Sequence, residues 1–181
     1  MILTKTALGR VSEQYIRNKS FSAMNEAVGQ VKRLSRADEI TVFLSHKHDE
    51  MKELTDAIAL LHSLGVSVYV DWMDEGMPSV TSEKTAERIK HKIQTNKKFV
   101  FLATDAAVAS KWCNWELGYG DACKYSKDIS LLPVAENDGT WKGTEYLRIY
   151  PSIESDNQLG SNGYVVKHGA TRISLVDWLR R

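Results

Sequence analysis

The alternation of short apolar runs with amphipathic segments most constrains the fold of this 181-residue chain. Runs rich in β-branched and aromatic residues predict buried strands over residues 40–45, 66–70, 99–103 and 129–134. Longer segments between them repeat apolar residues every three or four positions, as amphipathic helices do. Four such alternations predict an α/β fold of flavodoxin-like type, with a doubly wound, mostly parallel five-stranded sheet.

Local signals indicate where the predicted helices begin and end. Gly65 is expected to end the first of them, and Asp49 or Ser45 is expected to cap its beginning. Thr104 and Asp105 are expected to cap a later helical region. A further charged helix is predicted over residues 82–95, with apolar positions on one side. These boundaries place every strand next to a helix, as the α/β prediction requires.

The pattern weakens after Pro133. Short strands are predicted over residues 146–150 and 164–167, and Gly160 to Gly163 is predicted to form a turn between them. Residues 173–180 are predicted to form a terminal helix. No internal repeat and no low-complexity linker divides this region, so it is assigned to the same domain as the sheet.

The first 37 residues differ from the rest in charge. They carry seven Lys/Arg and two Asp/Glu, a net charge of +5, so the remainder carries −4. Residues 10–36 read as helical, because apolar residues recur at near-helical spacing. We therefore divide the chain into an N-terminal basic helical extension, residues 1–37, and a domain over residues 38–181.

Composition excludes several classes of function. A formal net charge of +1 argues against nucleic-acid binding, and no apolar window approaches the length of a membrane span. Charged residues interrupt the N-terminus, so no secretory signal is expected. Cys113 and Cys123 would lie about 15 Å apart on one helix, too far for a disulfide. A cytoplasmic, reduced protein is the expectation.

Polar and aromatic residues follow three of the predicted strands, at the edge where ligands bind in open α/β sheets. The segments are Ser45-His46-Lys47, Asp71-Trp72 and residues 104–116. Each also has a simpler explanation, because Ser45 can cap a helix, Asp71 can begin a turn and Lys47 can be a solvated side chain. Their convergence at one edge makes this edge the candidate ligand site.

Trp112 and Glu116 stand four residues apart in a predicted helix and so share one helix face. An aromatic plate beside a carboxylate suits a nucleotide, with the ring for a base and the acid for a ribose. The alternative is a core tryptophan beside an exposed glutamate. Both interpretations are open at this point.

Several common catalytic motifs are absent. The sequence contains neither GxGxxG nor GxxxxGK[ST], which argues against a dinucleotide-binding dehydrogenase and a P-loop ATPase. It also lacks the G-x-S-x-G elbow of α/β-hydrolases. His46 and His48 alternate in one loop, but the sequence offers no clear third ligand. No metal site is therefore expected.

Three segments resemble the Toll/interleukin-1 receptor (TIR) domain family. Val42-Phe43-Leu44-Ser45-His46 resembles the first conserved box of TIR domains, at the end of the first strand. Val68-Tyr69-Val70-Asp71-Trp72, followed by a loop with Gly76 and Pro78, resembles the second strand and its BB loop. Residues 109–117 resemble the S-[KR]-W-C-x-x-E-L segment of catalytic TIR domains. The resemblance covers roughly residues 38–150, in order and spacing.

The resemblance implies an enzyme that cleaves NAD+ between nicotinamide and ribose. It implies Glu116 as the catalytic residue and Trp112 as part of the site wall. It places four further side chains near the nucleotide: Ser45, Lys47, Asp71 and Trp72. The products would be nicotinamide with ADP-ribose or a cyclic ADP-ribose isomer. No cofactor is implied beyond NAD+ itself, which is the substrate.

The resemblance also implies partners. TIR enzymes generally act as assemblies, so the 72–80 loop is expected to mediate self-association, with Met73 and Met77 as adaptable contacts. A separate effector protein reading a nucleotide signal is expected by analogy with Thoeris-type antiphage defence. Three other functions are open: a non-catalytic TIR adaptor, a virulence effector, and an enzyme similar to nucleoside deoxyribosyltransferases.

Overall fold

The computed structural model describes residues 1–18, 40–74, 82–124, 126–156, 158 and 163–181. Its strands are β1 Leu3–Thr4, β2 Thr41–Ser45, β3 Ser67–Tyr69, β4 Lys98–Ala103, β5 Ile129–Ala135, β6 Ser152–Ser155, β7 Tyr164–His168 and β8 Thr171–Ser174. Its α-helices are α1 Lys5–Asn18, α2 Met51–Ser63, α3 Glu83–Thr95, α4 Asp105–Ala109, α5 Lys111–Cys123 and α6 Leu175–Arg180.

The sheet contains the predicted parallel strands and extends beyond them. The strand order is β3-β2-β4-β5-β6-β7-β8, and β1 pairs with the end of β5. The five neighbours from β3 to β6 are parallel, whereas β7 and β8 are antiparallel additions at one edge. The mostly parallel α/β architecture is thus confirmed. The four strands predicted up to residue 134, β2 to β5, lie in a described sheet of eight in which β1 and β6 also run parallel to β5.

Alternating residues of the strands divide the core into two layers, because successive side chains point to opposite faces of a sheet. Val42 and Leu44 face a cluster that includes α1, α2 and α6. Phe43 and Phe99 face a second cluster that includes α3 and α5, and their rings stack 5.5 Å apart. Helices therefore cover both faces, which explains why β4 and β5 are buried along their whole length.

The predicted helix boundaries hold in part. Gly65 ends α2 with a positive φ of 79°, and the Thr104 side chain accepts a hydrogen bond from the Ala107 amide at the start of α4. The predicted cap of α2 is wrong. Glu50 occupies that position, and its carboxylate accepts a hydrogen bond from Thr104. Ser45 bonds elsewhere, as described below.

Two predictions after residue 144 need correction. Residues 146–150 are not a strand, because Glu145–Ile149 form a short 3-10 helix that exposes Ile149 and buries Leu147. Ile173 lies in β8, and the terminal helix begins only at Leu175, after the capping side chain of Ser174. The predicted turn over 160–163 lies largely outside the described residues.

The described part of the N-terminal segment packs into the domain. Leu3 pairs with Val134 of β5, and Leu8 of α1 is fully buried in the cluster that includes α2. The helix begins at Lys5, earlier than the predicted residue 10. Residues 19–39 lie outside the described structure, so the boundary between residues 37 and 38 stays a prediction.

Two findings bear on the expectations from composition. Cys113 is a buried free thiol and Cys123 an exposed one, as expected for residues on one helix. Among the described helices, none combines the length and the apolar composition that crossing a membrane requires.

Candidate active site

A buried hydrogen bond joins the end of a strand to the interior of a helix at the site. Ser45, the last residue of β2, donates its hydroxyl to Oε2 of Glu116 in α5 over 2.6 Å. Both residues are almost completely buried, Glu116 with 2% of its surface exposed. The serine proton fixes one carboxylate oxygen, so the direction in which Glu116 presents its other oxygen is set by the fold.

The environment of Glu116 changes its ionisation. Burial raises the pKa of the carboxyl to about 8, and the negative charge of Asp71 adds to the rise. Hydrogen bonds from Ser45 and Trp112, and the charge of His48, act in the opposite direction. Carboxyl groups with strongly shifted pKa values are common at functional sites. A positively charged ligand next to Glu116 would lower its pKa again, because it favours the ionised form.

Trp112 and Glu116 share a helix face, as predicted. Trp112 is partly exposed and packs against the second core cluster, whereas Glu116 is buried, so the alternative is wrong in its exposed glutamate. The indole stacks on Trp115 with ring centroids 4.9 Å apart, and Trp115 stacks in turn on Tyr119. The aromatic plate is therefore held in place by further rings.

Asp71 follows β3 as the first residue of a short 3-10 helix, Asp71–Met73. It is buried, and its two carboxylate oxygens face the histidines after β2. Nε2 of His48 lies 3.1 Å from Oδ2, and Nε2 of His46 lies 3.8 Å from Oδ1. The hydrogen bond to Asp71 raises the pKa of His48, whereas burial lowers the pKa of His46.

Two further predicted residues are placed less directly. Lys47 lies in the loop after β2, where its ammonium pairs with Asp49 at 3.1 Å, on the surface. It influences the site through its charge, which lowers the pKa of His48. The backbone of Trp72 lies in the short helix after β3, but its side chain lies outside the described structure.

No role was predicted from the sequence for three residues at the site, His46, His48 and Cys113. The thiol of Cys113 donates a hydrogen bond to the carbonyl of His46 at 3.2 Å, which holds the loop after β2 against α5. The alternating histidines were visible in the sequence. What the sequence did not show is that Asp71, from the neighbouring strand, comes within ion-pair distance of both.

Two surface cavities lie away from these residues. One is lined by Met1, Glu154, Asp156 and Arg172, and the other by residues that include Trp141 and Arg148. Both lie along the β6–β8 edge of the sheet. Neither cavity is lined by residues of the candidate site, which is therefore assigned from its buried carboxylate and its hydrogen bonds.

Two proteins, from Bacillus cereus and Cytobacillus dafuensis, are similar in sequence to this chain. A probable 3′ cyclic ADP-D-ribose synthase of Bacillus cereus strain MSX-D12 is 32% identical over 124 residues, which cover 66% of this chain and 63% of the relative. A Cytobacillus dafuensis protein with the provisional name cyclic ADP-D-ribose synthase is 31% identical over 81 residues, covering 43% and 21%. The chain thus spans less than two thirds of either relative.

The matching region contains the site. A sequence model described as the TIR domain matches residues 42–158, more than half of the chain. This range includes β2 with Ser45, the segment after β3 with Asp71, and α5 with Glu116. The parallel sheet of this region is covered by helices on both faces, in agreement with the architecture expected from the resemblance. The chain therefore belongs to the TIR domain family.

Proposed function

We propose that this TIR protein cleaves the bond between nicotinamide and ribose in NAD+, with Glu116 as the catalytic residue. The observation that carries the proposal is the buried Glu116 carboxyl, held by Ser45 over 2.6 Å and flanked by the partly exposed ring of Trp112. The names of the two relatives, both cyclic ADP-D-ribose synthases, support the same substrate class.

One carboxylate is enough for this reaction. Ordinary glycosidases use two, because an acid must protonate the leaving oxygen. The nicotinamide of NAD+ is a cationic pyridinium and leaves as a neutral molecule, so no acid is required. What remains is to stabilise the positive charge that develops on the ribose. A fixed carboxylate near the ribose hydroxyls does this without reorganising during the reaction.

The raised pKa of Glu116 fits a carboxylate that awaits a cation. Burial outweighs the favourable charge of His48 and disfavours ionisation of Glu116 in the free protein. The pyridinium of bound NAD+, and then the oxocarbenium-like transition state, supply positive charge that favours the ionised form. The interaction therefore strengthens as charge develops on the ribose, which is the requirement for lowering the barrier.

A cyclic ADP-ribose isomer is the product that we favour. Hydrolysis needs water at the ribose carbon, whereas cyclisation uses an atom of the same nucleotide. Glu116 is nearly inaccessible to solvent, and a dry site favours the intramolecular attack. The two relatives named as cyclic ADP-D-ribose synthases agree with this product.

By analogy with Thoeris-type TIR proteins, we propose a role in bacterial antiphage defence, with the cyclic nucleotide as a signal for a separate effector protein. We further propose self-association through the 72–80 loop, most of which lies outside the described residues. Lys47, Asp71 and Trp72 are proposed to lie near the bound nucleotide, beside Ser45 and Trp112.

The proposal is tested by incubating purified protein with NAD+ and identifying the products by mass. Glu116→Gln keeps the size of the side chain but cannot ionise, and we expect it to reduce turnover by about a thousandfold, as loss of a preorganised charge does. Glu87→Gln, an exposed change on α3, is the matched control and should retain full activity.

The outcomes separate the functions left open. Nicotinamide release with a cyclic isomer, lost in Glu116→Gln, supports a signalling enzyme, and release with ADP-ribose alone supports NAD+ depletion. Normal turnover in a folded Glu116→Gln variant would remove Glu116 from the mechanism. No release at any protein concentration, with or without infected-cell extract, would favour the TIR adaptor.

A further inference from the structure

We propose that His46, His48 and Asp71 bind one divalent transition-metal ion, with Zn²⁺ the best match, at the carboxyl ends of β2 and β3. These three side chains can each offer one ligand atom, and the three atoms lie within 4.8 Å of one another. The site adjoins the candidate active site, because His46 directly follows Ser45. It does not depend on NAD+ cleavage and is testable without it.

His46 has the orientation of a metal ligand. Its Nδ1 lies 3.2 Å from the carbonyl oxygen of Leu44, so this nitrogen carries the proton and donates it. The lone pair of a neutral imidazole then lies on Nε2. A backbone carbonyl that fixes the tautomer of the opposite nitrogen is the usual outer contact of a metal-bound histidine.

The Nε2 atom of His46 is buried and has no hydrogen-bond partner among the described residues. It faces a carboxylate oxygen of Asp71 at 3.8 Å. A lone pair and a carboxylate repel each other, and a buried polar atom without a partner is costly. A cation bound between them removes both costs.

The pairing of His48 with Asp71 does not by itself account for this arrangement. His48 can donate a proton to Oδ2 of Asp71 over 3.1 Å, which is an ordinary ion pair. That ion pair leaves the Nε2 atom of His46 unexplained. A metal ion in place of the shared proton gives all three side chains one common partner.

The donor set favours zinc. Two imidazole nitrogens and one carboxylate oxygen are common ligands of catalytic Zn²⁺ sites, which keep a fourth position open for water. Bond lengths of about 2.0–2.1 Å place tetrahedral ligand atoms about 3.3 Å apart. The Asp71–His48 distance already fits this value. His48 lies in an exposed loop with 53% of its side chain accessible, so it can move toward His46.

Binding is tested with the full chain, stripped by a chelator and titrated with Zn²⁺ by calorimetry. We expect one ion per chain. His48→Ala, a change at an exposed side chain, should weaken the affinity by more than about tenfold, since even outer contacts of a metal cost about that much. His91→Ala on α3 removes an exposed histidine away from the site and should leave the affinity unchanged.

Asp71→Asn and His46→Gln test the buried ligands, with circular dichroism as the check of folding. Co²⁺ in place of zinc should give the visible absorption of a tetrahedral site, lost in His48→Ala. The proposal is overturned if the stripped protein binds less than one Zn²⁺ per chain. It is equally overturned if His48→Ala binds zinc and Co²⁺ as the unmodified chain does.

Discussion

Ser45 at the end of β2 and Glu116 in α5 are joined by a 2.6 Å hydrogen bond across 71 residues of sequence. This contact fixes a single buried acid at the edge of the sheet where α/β proteins bind ligands. It also stabilises the charged form of Glu116 against the effect of burial. A substitution of Ser45 should therefore change the proposed activity and its pH dependence, and not only the stability of the protein.

We expect Ser45→Ala to reduce kcat/KM for NAD+ by about 10- to 100-fold, because a hydrogen bond to a charged group contributes about 1.5–3 kcal/mol. Loss of the hydrogen bond from Ser45 also raises the pKa of Glu116 further, since this hydrogen bond favours the ionised form. The rising limb of the pH profile should move to higher pH. The measurement is the pH dependence of nicotinamide release.

Ser130→Ala provides the control for this variant. Ser130 is a fully buried serine of β5 whose hydroxyl bonds to the carbonyl of Pro151. Its loss should lower stability without moving the pH profile. Equal profiles for Ser45→Ala and Ser130→Ala would mean that Ser45 has only a structural role.

The pH dependence of the unmodified protein, stripped of metal by a chelator, is a second prediction. In the free protein, burial raises the pKa of Glu116 to about 8, so the carboxyl is mostly protonated below that pH. Under the proposed mechanism, only the ionised form supports catalysis. Because kcat/KM reports groups of the free enzyme, it should rise about tenfold per pH unit below this value and then level off. A profile that is flat between pH 6 and 8 would contradict the assignment.

Stability should follow the opposite trend. Between the ordinary value of 4.5 and about 8, folded Glu116 holds a proton that the unfolded chain has released. Stability then falls as pH rises through this window, because protons favour the state that binds more of them. The side chain of Glu116→Gln cannot ionise, so this variant should not lose stability in the same window. Its Tm advantage should widen from pH 5 to pH 8 and stay constant above, which thermal melting at pH 5, 7 and 9 measures.

The strand and helix pattern was predictable because it depends on local periodicity. Residues 99–103 form a continuous apolar run, and all six positions of β4 are buried, including Lys98 at its start. Gly65 marks the end of α2. The error at residues 146–150 has a physical cause. Tyr146 and Ile149 are apolar by composition but exposed in a 3-10 helix, and nothing local distinguishes them from strand residues.

The site was predictable only in outline. The topology rule placed Ser45, Asp71 and Glu116 at one edge of the sheet, and the structure brings these three residues together. Which of Trp112 and Glu116 is buried depends on how α5 packs, and helix spacing does not determine that. Asp71 approaches both histidines from a different loop, more than 20 residues further along the chain, and local sequence spacing does not indicate such a contact.

A dilution experiment tests the proposed assembly. Met77→Ser in the 72–80 loop should lower the activity per molecule strongly at low protein concentration and little at high concentration, because mass action restores the assembly. Met51→Ser replaces an exposed methionine of α2 and is the control. If activity per molecule is independent of concentration in both variants and in the unmodified chain, the enzyme acts as a monomer.

Asp74 should contribute to stability next to the site. The guanidinium of Arg88 donates two hydrogen bonds to its carboxylate, at 2.9 and 2.6 Å, and Tyr69 donates a third at 2.8 Å. Asp74→Asn leaves these donors poorly paired, which costs about 1–3 kcal/mol of unfolding free energy. Urea denaturation measures the change. Glu87→Gln, exposed on the same helix as Arg88, should alter it little.

Two glycines of α5 test the packing of the helix that carries Glu116. A Cβ atom at Gly120 would lie 3.2 Å from the Phe99 ring of β4, whereas a Cβ atom at Gly118 would meet nothing within 4 Å. Gly120→Ala therefore requires the Phe99 ring to shift by a few tenths of an ångström. Because this ring is fully buried and stacked on Phe43, we expect a cost of about 1–3 kcal/mol. Gly118→Ala should stabilise the protein by about 1 kcal/mol, because alanine favours the helix. Thermal melting of the two variants should give Tm shifts of opposite sign, and a loss of stability in both would show that the space beside Gly118 is occupied in solution.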